Sequence, residues 1–140
     1  MIRSRFRAES LAALDQIAAD FARRLRPGDA VALEGPLGAG KTAFVAAVVR
    51  GLHGEDQSSS PTFTFWHRYE GTPTIHHLDL YRIESEAELV ELGLEEAFAP
   101  DAVTLVEWPQ RAPQLLPARA ISVHIRGSGD GVREIEIERP

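Results

Sequence analysis

The order of apolar and polar positions divides the first third of the chain into three elements. Apolar residues recur at helical spacing after Ser10, a good N-cap, and predict a helix that ends at Pro27-Gly28. A short apolar strand then occupies Asp29–Glu34, and an apolar helix runs from Lys41 to about residue 50. Between them lies a glycine-rich stretch. The pattern therefore predicts a strand, a glycine-rich loop and a helix in direct succession.

The middle of the chain changes from small polar residues to aromatic strands. Gly51–Ser60 is small and polar, which predicts a mobile loop. The aromatic-rich segments Phe63–Tyr69 and Thr74–Leu80 are joined by a short turn and predict an antiparallel hairpin. Next, the pattern Ser-x-x-Glu over 85–88 predicts the start of a helix, and Gly93 predicts its end.

The last third of the chain predicts strands. Val103–Val106 is a short apolar run, typical of a buried strand, and Glu107 follows it. Apolar and polar residues then alternate over 121–125 and 135–137, which predicts a half-solvated antiparallel hairpin at a sheet edge. Taken together, the pattern predicts an α/β fold with a mixed sheet, formed by a single domain over residues 1–140.

Composition and length restrict the class of protein. A chain of 140 residues, 44% hydrophobic and 26% charged, suits one compact domain with its own core. The absence of cysteine excludes disulfides and thiolate metal sites. The longest apolar run, Ala43–Val49, is much shorter than the roughly 20 residues that cross a bilayer. Acidic residues among the early arginines argue against a transit peptide. We therefore expect a cytoplasmic protein that has no membrane partner.

The charge of the chain argues against direct binding of nucleic acid. The formal net charge is −6, which is the wrong sign for a protein that contacts phosphate backbones. We expect any role on nucleic acid to depend on a partner. The 15 basic residues include one lysine, Lys41. A compact ammonium on a flexible stem differs from the planar fork of arginine, so this lone lysine is a candidate for specific chemistry.

Lys41 lies in a complete phosphate-binding motif. Residues 35–42 fit the pattern G-x-x-x-x-G-K-[ST]: Gly35, Pro36, Leu37, Gly38, Ala39, Gly40, Lys41 and Thr42. In such loops backbone N–H groups point at phosphate oxygens, the lysine contacts the β- and γ-phosphates, and the hydroxyl binds Mg²⁺. Because the motif joins a predicted strand to a predicted helix, it predicts a nucleoside triphosphate site.

A nucleotide site of this kind also needs an acid near the metal and a group that orients the nucleophile. Glu107 follows a strongly apolar strand, and Asp79 follows a less apolar one, so pattern favours Glu107. The alternative is that either acid caps a loop or pairs with an arginine. Thr62, which closes the predicted mobile loop, is a third candidate and would act as a switch on the metal and γ-phosphate.

Two further groups of residues have an ordinary structural explanation. His76 and His77 are adjacent on a predicted strand, so they face opposite ways and cannot chelate one ion together. We expect each histidine to be packed or on the surface. Arg82 and Arg111 could contact phosphate or a partner, although surface ion pairs are more common for arginine. Trp108 either packs on the site or fills the core.

With these residues assembled, the chain resembles the TsaE family (formerly YjeE), small bacterial P-loop ATPases required for threonylcarbamoyladenosine formation in tRNA. The resemblance spans about residues 28 to 112 and rests on four segments in order. These are residues 33–42, Ser60-Pro61-Thr62-Phe63-Thr64, His77-Leu78-Asp79-Leu80-Tyr81-Arg82 and Glu107-Trp108-Pro109. One departure is Phe65, where many relatives carry a smaller aliphatic residue.

The resemblance implies a P-loop domain with a mixed sheet, antiparallel hairpins and flanking helices. It places the metal-binding threonine and acid on Thr42 and Glu107, the Walker B-like aspartate on Asp79 and the switch threonine on Thr62. A late arginine near the nucleotide would correspond to Arg133, whose alternative is an exposed position on the edge hairpin. Proteins like this have weak ATPase activity and act with TsaB and TsaD, which modify the adenosine next to the anticodon.

The resulting hypothesis is an Mg²⁺-dependent ATPase that acts with TsaB and TsaD and meets tRNA only through that complex. Lys41, Thr62, Asp79 and Glu107 would be the catalytic residues, with ATP and Mg²⁺ as cofactors. The alternatives are a small-metabolite P-loop kinase and a nucleotide-dependent binding module without useful turnover. The kinase is less favoured because the sequence has no insertion of the size of an arginine-bearing lid.

Overall fold

The computed structural model of the protein describes residues 1–54, 60–63, 65–127 and 131–140, with side chains omitted for Ser60–Phe63 and Glu86. Its strands form an eight-stranded sheet in the order β1-β8-β7-β2-β6-β5-β4-β3. They are β1 (Ile2–Ala8), β2 (Ala30–Glu34), β3 (Ser60–Phe63), β4 (Trp66–Tyr69), β5 (Thr74–Asp79), β6 (Ala102–Glu107), β7 (Ile121–Arg126) and β8 (Arg133–Arg139).

The described helices are α1 (Leu11–Ala22), α2 (Lys41–His53) and α3 (Glu86–Leu92), with 3₁₀ turns at Leu94–Phe98, Pro109–Arg111 and Pro113–Leu115. None of these described helices is both long enough and apolar enough to span a membrane.

The sheet is parallel at its centre and antiparallel on both sides. Strands β7, β2, β6 and β5 are parallel neighbours, whereas β3-β4-β5 and β7-β8-β1 pair antiparallel. Parallel central strands need cover on both faces, which agrees with the fully buried apolar sequence of β6. The predicted α/β fold with a mixed sheet, antiparallel hairpins and flanking helices is confirmed.

Two hydrophobic clusters occupy the two faces of the sheet. On one face α1 and α2 pack over alternate residues of the central strands, and the Phe21 and Phe44 rings lie with centroids 5.6 Å apart. On the other face α3 and the 3₁₀ turn at 94–98 pack over the β5–β6 half, around Leu78 and Val106. The period-2 alternation of the strands therefore divides the core between two layers.

The predicted helix starts are more accurate than the predicted ends. Ser10 caps α1 as expected, since its hydroxyl accepts the Ala13 N–H at 3.1 Å. Helix α1 ends at Ala22, however, before the predicted turn at 27–28. Helix α2 runs to His53, into the predicted loop 51–60, and Gly54 ends it with a φ of 84°. The rest of that predicted loop, residues 55–59, lies outside the described residues. Gly93 ends α3 as predicted, with a φ of 62°.

The prediction that the C-terminal hairpin lies at a sheet edge is wrong. Strands β7 and β8 do form an antiparallel hairpin, but β1 pairs with β8 and becomes the edge strand. The apolar pattern of residues 2–8 does not predict a strand there. In the sheet Arg3, Arg5 and Arg7 lie opposite Glu138, Glu136 and Glu134, so cross-strand charge pairs stabilise this pairing. Their partners lie about 130 residues away, which no local pattern reveals.

Candidate nucleotide site

The glycine-rich loop joins the end of β2 to the start of α2, as the sequence predicts. Gly40 is the N-cap of α2 and has a φ of 107°, a region that favours glycine. At Gly35 a Cβ atom would collide with the backbone oxygen of Ile125 in the neighbouring strand β7. The loop therefore packs closely on the sheet and presents the N-terminus of α2, where backbone N–H groups and the helix dipole favour anions.

Lys41 is buried at the first position of α2, with 5% of its surface exposed. Its ammonium group donates to the carbonyl oxygen of Gly35 and lies 3.7 Å from the centroid of the Trp108 ring. Burial lowers the pKa of Lys41, and the carboxylates of Glu107 and Asp79 partly offset that effect. The carbonyl and the aromatic face therefore replace water around this cation.

Two acids reach the same place from neighbouring strands. Asp79 ends β5 and Glu107 ends β6, and the two residues are direct register partners in a parallel pair. Both line a cavity of about 270 Å³ together with P-loop and flanking residues: Leu37, Gly38, Gly40, Lys41, Thr42, Ala43, Tyr81 and Trp108. The structure thus brings Asp79 and Glu107 together with Lys41 and Thr42 at the carboxyl edge of the sheet, where open α/β sheets bind ligands.

The two acids differ in their surroundings. Glu107 is 3% exposed, and its Oε2 atom lies 2.6 Å from Nε2 of His77. Asp79 is half-buried, and its Oδ1 atom accepts the N–H of Tyr81 at 3.2 Å. The contact with Tyr81 is an Asx-type turn, so Asp79 does cap its loop, as one alternative expected. It also lines the cavity. Glu107 does not pair with an arginine, the other alternative, because its hydrogen-bond partner is His77.

The two adjacent histidines lie on opposite faces of β5, as the sequence predicts. His76 accepts the indole N–H of Trp66 at its Nδ1 atom, at 2.9 Å, on the α3 side. His77 lies on the α2 side with Glu107. The sequence predicts packed or surface histidines but does not reveal the contact of His77 with Glu107. The sequence does hold one sign of it: residues 77 and 79 share a face of one strand, so His77 lies on the same side as the candidate acid Asp79. The strand order that puts β6 beside β5 was not known.

Trp108 follows Glu107 in an unusual backbone conformation. Its φ is 59°, the left-handed region that a bulky residue rarely adopts. The Trp108 ring contacts both the Lys41 ammonium and the Tyr81 ring, and the centroids of the two rings are 4.9 Å apart. Arg111 lies near the other aromatic, with its guanidinium carbon 6.0 Å from the Tyr81 centroid. Trp108 thus packs on the site, one of the two alternatives that sequence left open.

Arg133 lies behind the loop. It is 4% exposed, and Nε donates to the carbonyl oxygen of Ala39 at 2.8 Å while Nη2 lies 3.5 Å from that of Gly38. The alternative of an exposed arginine on an edge hairpin is therefore wrong. A direct contact between Arg133 and the nucleotide stays a prediction, because the structure puts its guanidinium on loop carbonyls. Thr62 is in β3, where side chains lie outside the described residues, so its predicted role also stays a prediction.

The donor set around the cavity fits a hydrated Mg²⁺ ion. Within the described residues no three side chains of histidine, cysteine, aspartate or glutamate cluster as they would around a metal ion held by protein alone. Mg²⁺ in nucleotide sites needs only one or two carboxylates, because phosphates and waters supply the remaining oxygen ligands. Thr42, Asp79 and Glu107 offer a hydroxyl and two carboxylates on one cavity. These hard oxygen donors suit Mg²⁺ better than softer metals.

Comparison with known proteins agrees with this geometry. Residues 8–135 match the family model described as Threonylcarbamoyl adenosine biosynthesis protein TsaE. A tRNA threonylcarbamoyladenosine biosynthesis protein TsaE from Bacillus subtilis (strain 168) is 41% identical over 128 residues, which is 91% of this chain and 78% of that protein. The proteins of the same name from Treponema pallidum and Rickettsia bellii are 36% and 43% identical. They cover 82% and 81% of this chain, and the matches span 85% and 79% of those proteins.

A solved structure shares the fold. The crystal structure of YdiB from Bacillus subtilis superposes with a TM-score of 0.82 at 32% sequence identity. The match covers 99% of this chain and 86% of that one. The order of strands, the P-loop-like connection and the family match lead to the same conclusion: this chain belongs to the TsaE family.

Proposed function

We propose that this chain is an Mg²⁺-dependent ATPase that acts in tRNA N6-threonylcarbamoyladenosine formation together with TsaB and TsaD. One observation carries the proposal: the lysine of a complete P-loop shares a cavity with two register-paired carboxylates. Family membership supplies the pathway. A single P-loop domain over residues 1–140 is part of the same proposal.

The loop binds the phosphates of ATP. Backbone N–H groups of residues 35–42 and the N-terminus of α2 surround the β-phosphate. The Lys41 ammonium exchanges the Gly35 carbonyl and the Trp108 ring for β- and γ-phosphate oxygens. Since burial lowers the pKa of this ammonium and two carboxylates oppose the shift, the added phosphate charge further favours its protonated form.

Thr42 and Glu107 hold Mg²⁺ directly or through water, and Asp79 completes the set from the adjacent strand. When bound, the metal neutralises charge that develops on the phosphates during transfer. A water oxygen forms a bond to the γ-phosphorus while the bond from that phosphorus to the β–γ bridging oxygen breaks, which yields ADP and inorganic phosphate. Thr62 closes over the γ-phosphate as a switch, and Arg133 lies near the nucleotide on the far side of the loop.

The partners supply contact with RNA. The chain carries a net charge of −6, so it is poorly suited to bind tRNA phosphates itself. We infer that TsaB and TsaD hold the tRNA and that ATP binding or hydrolysis on this chain drives or resets their cycle.

A small-metabolite kinase is the rival function. One observation favours it: a second cavity, of about 560 Å³, adjoins Asp79 and Tyr81 and has Arg82 and Glu88 on its wall. An acceptor molecule there would lie beside the γ-phosphate. The two functions differ in product, since the ATPase releases inorganic phosphate and the kinase transfers it to an organic acceptor.

The deciding experiment is a pull-down with TsaB and TsaD, with and without ATP, followed by an ATPase assay with the recovered partners and tRNA. The proposed function predicts ATP-dependent capture and phosphate release that the partners stimulate. Equal capture of the partners with and without ATP, or transfer of phosphate only to a small molecule, would contradict the proposed function.

A further inference from the structure

The proposed function leaves one buried contact unexplained, the one between His77 and Glu107. We propose that His77 is a positioning residue that orients the Glu107 carboxylate toward the metal at the phosphate site. The inference rests on the proposed role of Glu107 in holding Mg²⁺. It adds a residue whose imidazole does not line the P-loop cavity itself.

The strand pairing places the two side chains next to each other. In the parallel β5–β6 pair, His77 is the register partner of Leu105, and Glu107 follows Leu105 by two residues on the same face. The imidazole therefore reaches diagonally to the carboxylate, and Nε2 of His77 lies 2.6 Å from Oε2 of Glu107. This distance lies just below the range of about 2.7–2.9 Å for an N–H group that donates to a charged oxygen, so the contact is a short hydrogen bond.

The contact between His77 and Glu107 is buried, so its loss would leave a carboxylate without a hydrogen bond. Glu107 is 3% exposed and His77 is 8% exposed. A carboxylate with so little water is costly unless a hydrogen bond satisfies it. A donor at Nε2 occupies one of the two oxygens of Glu107 and restricts rotation of the carboxylate. Because Glu107 itself lines the cavity with Lys41 and Thr42, the other oxygen is left for a metal there.

The imidazole is itself held in place. The His67 ring on β4 stacks on His77 with centroids 6.1 Å apart and an interplanar angle of 29°. The pairing of β4 with β5 puts these two histidines in register. Three neighbouring strands therefore contribute to one orientation: β4 supports the imidazole, β5 carries it and β6 carries the carboxylate.

The chain offers a matched control for a merely structural effect. His76 is the adjacent residue and is also 8% exposed, and its Nδ1 atom accepts the indole N–H of Trp66 at 2.9 Å. It lies on the opposite face of β5, away from Glu107. Replacement of either histidine by leucine removes a buried polar contact from the same strand, but only one replacement frees the carboxylate.

The test is the Mg²⁺ concentration dependence of ATP binding, measured by calorimetry without turnover, for wild type, His77→Leu, His77→Gln and His76→Leu. Loss of a group that orients a metal ligand typically costs about 10–100-fold in metal affinity. We expect His77→Leu to need about 10–100 times more Mg²⁺ and to bind ATP normally in EDTA. His77→Gln, whose amide nitrogen can donate where Nε2 does, should recover most of the loss. His76→Leu should keep the wild-type Mg²⁺ midpoint.

An unchanged midpoint in His77→Leu would overturn the inference. So would an equal shift in His76→Leu, or a glutamine variant no better than leucine. Glu107→Gln separates this result from the proposed function. If wild type and Glu107→Gln respond alike to Mg²⁺, the proposed metal role of Glu107 is wrong, and the positioning role is wrong with it. If they differ while His77→Leu matches wild type, only the positioning role is wrong.

Discussion

Asp79 and Glu107 end two hydrogen-bonded parallel strands at the same register position, and both line the cavity beside Lys41. Two carboxylates on one cavity repel each other unless a cation lies near them. Lys41 supplies one positive charge, and its attraction to both acids opposes the effect of its burial. The imbalance of two acids against one ammonium favours a divalent cation at this edge of the sheet.

Removal of the Glu107 charge should slow hydrolysis and weaken the dependence on Mg²⁺. Glu107→Gln keeps the size of the side chain and an oxygen toward His77, so we expect the fold to persist. The rate of phosphate release should fall by at least about tenfold, the usual lower range for a disturbed metal site. A coupled phosphate assay over a series of Mg²⁺ concentrations measures both effects.

Glu91→Gln is the matched control for that substitution, because Glu91 is exposed on α3. It should hydrolyse ATP at the wild-type rate. A Glu107→Gln protein as fast as this control would show that Glu107 has no role at the metal.

Arg133 should matter for the shape of the phosphate loop. Arg133→Ala leaves the carbonyl of the buried residue Ala39 without its guanidinium donor, and such a loss typically costs about 1–3 kcal/mol. We expect urea unfolding to detect a destabilisation of that order and calorimetry to detect weaker ATP binding. Arg119→Ala, at an exposed position, should change neither.

Comparison of ATP with inorganic triphosphate as ligands distinguishes two roles of Arg133, one through the loop and one through contact with the nucleoside. If it acts through the loop, affinities for ATP and for inorganic triphosphate should fall by the same factor, because both use the same amide groups. A loss seen with ATP alone would instead assign Arg133 to the base or ribose, which is a more specific role than the position near the nucleotide that the family resemblance implies.

Stability should decline in mild acid because of His76. Burial lowers its pKa, Arg68 lowers it further, and Glu70 and Asp101 partly offset the shift. The unfolded chain therefore binds a proton near the ordinary histidine pKa of about 6.5, whereas the folded chain binds it only at lower pH. Between these two pH values the unfolded state binds more protons, so the free energy of unfolding falls as pH falls below about 6.5.

Urea unfolding at a series of pH values measures this slope. His76→Asn keeps an oxygen that can accept the Trp66 indole N–H but has no proton to gain. It should be less sensitive to pH between 7 and 5 than wild type, while the other four histidines are unchanged. Equal slopes in the two proteins would contradict the assignment.

Local sequence signals predicted the parts of the site that lie on one element. The P-loop, the strand before it and the apolar strand that delivers Glu107 all depend on residues close in sequence, so periodicity and spacing were sufficient. The remaining contacts depend on strand order. Pairing of β1 with β8, the Arg133 contact with the loop and the His77–Glu107 contact each join distant segments. Alternation shows which face a residue occupies, but it does not show which strand is its neighbour.

The end of α2 illustrates a second limit. Gly51 reads as the start of a loop, yet it lies inside the helix, where a Cβ atom would meet that of Ala22 at 2.7 Å. The absence of a side chain at Gly51 allows α1 to pack closely on α2. Packing of this kind overrides the low helix propensity of glycine and is visible only once both helices are placed.

The proposed function requires that the P-loop of this chain bind ATP, and calorimetry of wild type and Lys41→Ala with Mg²⁺ present measures that affinity. Circular dichroism and urea unfolding of both proteins control for the loss of a buried side chain. We predict that wild type binds ATP and that Lys41→Ala, while folded, binds it at least about tenfold more weakly, since the lysine of a P-loop reaches the β- and γ-phosphates. A folded Lys41→Ala protein that binds ATP as tightly as wild type would show that the P-loop is not the ATP site.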